Sequence, residues 1–422
     1  MTALLAAALV AHVTLADLDR PVLEVELTVP TAVGRLCLDR EGAGRFLSGL
    51  VPDADDGDCF TIRERTIRYR MDIVALARGR GDPDGAARFG KAGFVACDQA
   101  FLLRPTRADP DTEVRIDWTL PEGVDVAAPW PRLPGKAARF RTTLRQRRTG
   151  SYVAVGKLKP LGAIPVQGGA LYPVIFEGER RASDDDLRGW LRGAGSAVAR
   201  FYQGLPISDV HVVLIPVHSR KPGVFGSVLR ENFASAALLF GDDAEGGSFH
   251  GEWMAFHELF HLGNPRLVGR IPWLTEGVAT YYQDVLRARA GAQSPDAMWD
   301  DLLDGLRRFC APEGKGPFLH RIQQLMRDRE YMDYYWGATC WAFRLDVAVR
   351  QRSQGRRSLD DVIRELRTVS MVERLDEPGL RAFLDKATGG ASSELLSAEG
   401  SLMPALDAKG FEATRRAILA PW

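Results

Sequence analysis

The chain of 422 residues has no surplus of charge, because 55 Lys+Arg face 55 Asp+Glu. Polyanions are held by clustered positive charge, so nucleic acid is not an expected partner. Apolar runs long enough to span a bilayer, which takes roughly 18 or more residues, are also missing. A spanning segment in the mature chain is therefore not expected. Lysine is scarce, with eight residues, and arginine carries the remaining positive charge. Cysteine is sparse too: Cys37, Cys59, Cys97, Cys310 and Cys340 include no C-x-x-C pair. That speaks against a cysteine zinc site or a thioredoxin-type motif. In an exported chain, five cysteines would make two disulfides and leave one thiol. In the cytosol they would be small buried hydrophobes. No internal repeat or low-complexity block is visible.

What is present is an ordinary globular composition, 45% apolar and 26% charged. The length exceeds one hydrophobic core and implies two or three domains. The first sixteen residues, MTALLAAALVAHVTLA, carry no Lys, Arg, Asp or Glu. Such a stretch reads as a signal peptide, which places the protein in the periplasm or outside the cell. It also reads as a buried strand or helix of the first domain, in a cytoplasmic protein.

Residues 17–182 read as a β-rich, sandwich-like domain. Val22 to Val29, Phe60 to Arg63 and Thr112 to Trp118 alternate apolar and polar residues, with turn formers between them. From Ser183 the pattern changes. Ser183 and Asp186 mark a helix start. His211 to Val217 and Val228 to Phe240 read as two buried strands, and Trp253 to Leu262 and Leu274 to Arg289 as helices. Residues 183–294 thus form an α/β segment and 295–422 a helical lobe. The fold class is α+β and multidomain.

His257-Glu258-Leu259-Phe260-His261 is H-E-x-x-H. Residues four apart share a helix face, so both imidazoles can reach one ion. Glu258 lies beside that face, placed to act as a base on water rather than to ligate. Only seven histidines occur, so chance would produce this motif in on the order of one such chain per hundred. Glu276, in Trp273-Leu274-Thr275-Glu276-Gly277, offers the third ligand that a catalytic zinc requires beside an open position.

These segments, HELFHLGN and WLTEGVATYY, resemble the gluzincin metallopeptidases, specifically the glycyl aminopeptidase family. The likeness continues through Tyr334-Tyr335-Trp336-Gly337-Ala338, Leu345-Asp346, Arg350 and Arg356 to Val362. It covers roughly residues 185 to 405. It implies a β-rich N-terminal domain, a thermolysin-like catalytic domain with a helical lobe, and no PDZ domain within this chain. It implies one zinc ion held by His257, His261 and Glu276, with Glu258 as general base. Tyr334, three residues before Gly337, takes the oxyanion-steadying position, and Tyr335 is its alternative. Three departures stand out. Glu276 follows His261 by only fifteen residues. Thr280 stands where a carboxylate usually orients a histidine. The G-A-M-E-N strand that holds a substrate amine is missing. In its place is Gly226 to Ser235, where Glu231 is the candidate amine ligand and Asn232 replaces a histidine.

The expected function is zinc-dependent hydrolysis of a peptide or protein substrate, in an aminopeptidase-like manner. The Val228 to Phe240 strand would pair with an extended peptide. The competing readings are an endopeptidase, an inactive zinc-binding interaction module of the same fold, and a hydrolase of non-peptide esters or epoxides.

Overall fold

The structure is a computed structural model that describes residues 8–30, 34–50, 57–79, 85–89, 91–135, 138–230, 233–310, 315–400, 402 and 408–420. The chain divides into two compact units. The first comprises Met1–Pro165, Ala170–Arg188 and Ile207–Gly246; the second comprises Val166–Gly169, Gly189–Pro206 and Gly247–Trp422. The stretch 183–294, expected as one α/β segment, is shared between them.

The first unit is built of sheets. One has strand order Ala138–Thr143, Glu113–Thr119, Leu9–Leu15, Val22–Thr28, Thr66–Asp72, Leu47–Ser48. The Leu9–Leu15 strand runs parallel to Glu113–Thr119 and antiparallel to Val22–Thr28. Its alternate residues Leu9, Ala11, Val13 and Leu15 are buried. Much of the uncharged opening run is therefore an internal strand. That is the strand arrangement of the alternative reading; residues 1–7 lie outside the described residues.

A four-stranded sheet contains Gly93–Cys97 and Tyr152–Gly156 as neighbours. Both strands are buried throughout, and their alternation explains why. Phe94, Ala96, Val153 and Val155 enter the core shared with Leu9, Leu23 and Trp118. Val95, Tyr152 and Ala154 enter a second core with Val174, Val213 and Ile215. Successive side chains of a strand point to opposite faces, so this sheet feeds two apolar layers.

The third sheet is mixed. Its Asp209–Val217 strand runs parallel to Gly169–Phe176 and to Ala234–Gly241. Such a doubly flanked strand is fully apolar, as Val-Val-Leu-Ile here is. The expected single strand from Val228 to Phe240 is in fact two, Gly223–Leu229 and Ala234–Gly241. They pair antiparallel with Ser227 opposite Ala237. The helix expected from Ser183 spans Asp184–Tyr202, and Ser183 and Asp186 cap it reciprocally.

The second unit is mainly helical: Trp253–Phe260, Pro272–Arg289, Pro295–Phe309, Phe318–Asp328, Tyr331–Arg352, Leu359–Val372 and Glu377–Thr388 are its principal helices. The Pro272–Arg289 and Tyr331–Arg352 helices lie close because Gly277 has no side chain. A Cβ there would stand 2.6 Å from Cβ of Ala338. Two buried carboxylates tie the Pro272–Arg289 helix to its neighbours, Asp346 from Tyr331–Arg352 and Asp360 from Leu359–Val372. Asp346 accepts from Tyr281 Oη at 2.8 Å, from Arg350 Nε at 3.1 Å and from the backbone of Leu359 at 2.7 Å. Asp360 accepts from Tyr282 Oη at 2.8 Å and Arg289 Nη1 at 2.7 Å. Disulfides join Cys37 to Cys59 and Cys310 to Cys340, and Cys97 is a buried thiol. Among the described residues no helix is long and apolar enough to cross a membrane.

Candidate metal centre and active site

The H-E-x-x-H helix is only eight residues long, Trp253–Phe260, too short to hold by itself. It is held by burial, since every residue from Met254 to Phe260 is buried. Glu252 caps its start, accepting from the backbone N–H of Met254 at 2.8 Å. Burial pushes that carboxyl up to about 7. At the far end His261 retains helical geometry and leads into a single tight turn, His261–Gly263. A side chain at Gly263 would enter the ring of Tyr202.

After a short loop the Pro272–Arg289 helix begins with proline at its first position, where no N–H is needed. It delivers Glu276 to the two imidazoles. Nε2 of His261 and Nε2 of His257 are 3.1 Å apart. Glu276 Oε2 is 3.4 Å from each. Burial opposes ionisation of Glu276, yet the neighbouring histidines hold its carboxyl well below the usual range.

The opposite edges of both imidazoles are also engaged. Nδ1 of His257 lies 3.0 Å from Oε1 of Gln283, and Nδ1 of His261 lies 2.7 Å from the side-chain amide of Asn264. With its proton on Nδ1 and donated to Gln283, His257 turns its Nε2 lone pair towards His261 and Glu276; Asn264 presents its amide nitrogen to Nδ1 of His261, and turned over it presents its oxygen to an Nδ1–H there in the same way. Residues that orient metal-bound histidines commonly work this way. Gln283 takes the place left by Thr280, which is buried in the same helix. The sequence reading missed it, although Gln283 lies seven residues after Glu276 and so on the same helix face. Asn264 was quoted in the motif but given no role.

Two nitrogens and one carboxylate oxygen within 4.8 Å of one another fit a zinc ion. Glu258, beside His257, is buried as well. Tyr334 and Tyr335 face this cluster from the Tyr331–Arg352 helix, with ring centroids 5.8 Å apart. Burial raises the pKa of Tyr334 well above its ordinary value, and the charge of Glu276 raises it further. The Tyr335 hydroxyl is pushed up to about 12 by burial and by the charges of Glu276 and Glu258. Both hydroxyls are therefore held protonated, as hydrogen-bond donors. Glu231 and Asn232 lie outside the described residues.

No family model matches the sequence, and no curated protein matches it. Solved structures do match. An aminopeptidase N family protein from Idiomarina loihiensis superposes with a TM-score of 0.75 at 16% identity, covering 93% of this chain and 77% of that one. An M1 zinc metallopeptidase from Deinococcus radiodurans gives 0.57 at 16% identity, covering 95% and 94%. A mutant of the Deinococcus enzyme bound to a Tyr-Ser-Ala substrate gives 0.57 at 15% identity, covering 95% of both chains. The fold is that of these M1 zinc metallopeptidase structures, and the α+β multidomain class with a helical C-terminal part expected from the sequence is the one observed.

Proposed function

We propose that this protein is a zinc-dependent peptidase of aminopeptidase-like type. The observation that carries the reading is the convergence of His257, His261 and Glu276, with Gln283 and Asn264 behind the two imidazoles. His257, His261 and Glu276 would hold the ion, which when bound acidifies water and polarises a carbonyl. Glu258 takes a proton from the attacking water and passes it to the leaving amine. Tyr334 donates a hydrogen bond to the developing oxyanion, with Tyr335 as the neighbouring donor. The two disulfides support an oxidising compartment, periplasmic or extracellular, as its place of work.

Metal analysis together with cleavage of a peptide library tests the reading. Bound zinc, turnover, and its loss in a zinc-retaining Glu258→Gln variant are expected. Stoichiometric zinc with no cleavage of any peptide favours the inactive binding module instead. Comparing free and N-acetylated forms of one peptide separates exopeptidase from endopeptidase. Loss of cleavage on acetylation makes Glu231 the first residue to substitute.

A further inference from the structure

A cavity of about 300 Å³ opens in the second unit, lined by Arg270, Trp273, Gln323, Arg327, Tyr334 and Glu377 among others. Trp273, one helical turn before Glu276, and Tyr334 both line it, which sets it beside the candidate reaction centre. Arg270 lies within electrostatic reach of the same centre, where its charge acts on Tyr335 against Glu258 and Glu276.

The charges in this lining are not equivalent. Arg327 is occupied, donating from Nε and Nη2 to Oε1 of Gln324 at 3.1 and 2.6 Å. Glu377 stands in the first turn of the Glu377–Thr388 helix, where the helix dipole favours a carboxylate. Arg270 is exposed and has no hydrogen bond or ion pair with any described residue. Trp273 is 3% exposed, and its indole N–H has no acceptor among the described residues. Buried donors normally find an acceptor. The lining therefore presents one free guanidinium, that of Arg270, beside Tyr334.

We propose that this cavity is a subsite selective for a carboxylate on the substrate, with Arg270 as the specificity-determining residue. The role in substrate choice rests on the peptidase reading; the binding itself does not. A guanidinium presents paired donors to the two oxygens of a carboxylate. That carboxylate is either the C-terminus of a short peptide or an acidic side chain.

The test uses the zinc-loaded Glu258→Gln protein, so that peptide is not consumed. Trialanine, trialanine amide, Ala-Glu-Ala amide and Ala-Lys-Ala amide are titrated by calorimetry. If a C-terminus is read, trialanine binds about tenfold tighter than its amide. If a side chain is read, Ala-Glu-Ala amide binds tighter than trialanine amide by a similar factor. Adding Arg270→Gln should bring either ratio to about one, and adding Arg270→Glu should turn the preference towards Ala-Lys-Ala amide. Equal affinities in the parent, a preference that survives Arg270→Gln, or no measurable binding overturns the proposal. The same peptides are then assayed for kcat/KM with Glu258 intact. Carboxylate-selective binding without cleavage sinks the peptidase reading and leaves the subsite standing. Cleavage indifferent to the carboxylate does the reverse.

Discussion

Nδ1 of His257 lies 3.0 Å from Oε1 of Gln283. A neutral amide thus backs a histidine where the motif comparison led one to expect a carboxylate further up the same helix. An amide oxygen fixes the ring and its tautomer but adds no negative charge, so it should raise ligand basicity less than a carboxylate does.

Gln283→Leu should keep the fold and lose about ten- to hundredfold in zinc affinity. Gln283→Glu should keep or improve it. Competition with a graded series of chelators measures both, and an unchanged affinity in Gln283→Leu would remove Gln283 from the site.

Gly277→Ala tests the close approach of the two helices. The added methyl would meet Cβ of Ala338 at 2.6 Å and its backbone carbonyl carbon at 2.7 Å. Overpacking of this kind costs about 1–3 kcal/mol. Because it separates Glu276 from the tyrosines, turnover should fall more than zinc affinity. Adding Ala338→Gly should restore part of both, as urea melts and kcat would show.

The tyrosine pair can be divided by hydroxyl removal. Tyr334→Phe should lower kcat by about a hundredfold or more with little change in KM, the pattern of a lost transition-state donor. Tyr335→Phe should do less. The reverse order of effects would assign the donor role to Tyr335.

Glu252 predicts a pH effect on stability. Its folded pKa of about 7 lies above the ordinary 4.5, because burial disfavours the charge. A raised carboxyl contributes stability that is full below about pH 4.5 and is lost as pH rises through about 7. Glu252→Gln keeps an oxygen for the Met254 N–H and cannot ionise. The variant should match the parent near pH 4 and be the more stable near pH 8, by up to roughly 3 kcal/mol. Thermal melts across that range read the difference; equal curves at both ends would contradict it.

The zinc motif was legible because its geometry is local. Two histidines four apart on a helix share a face whatever surrounds them. Glu276 was legible through its neighbours Trp273 and Gly277. Local capping at Ser183 was legible for the same reason, and the structure shows it. Gln283 was not, since its spacing from Glu276 shows a shared face but not what that face meets. The break between the Gly223–Leu229 and Ala234–Gly241 strands was missed, although Arg230-Glu231-Asn232 interrupt the apolar run between Leu229 and Phe233.

The opening residues show the same division. MTALLAAALVAHVTLA is apolar by composition, and composition alone fits a leader or a buried strand. Its pairing with residues more than a hundred positions away, Val13 opposite Trp118, makes it a strand. The sequence by itself determined the identity of the donor atoms, the helix that pairs His257 with His261, and the alternation of the sheet strands. These depend on covalent order and on periods of 3.6 and 2 residues. The tertiary structure decided which amides stand behind the histidines and which cation faces the cavity beside Tyr334. Those depend on contacts between elements distant in the chain, which side-chain packing selects and no local period encodes.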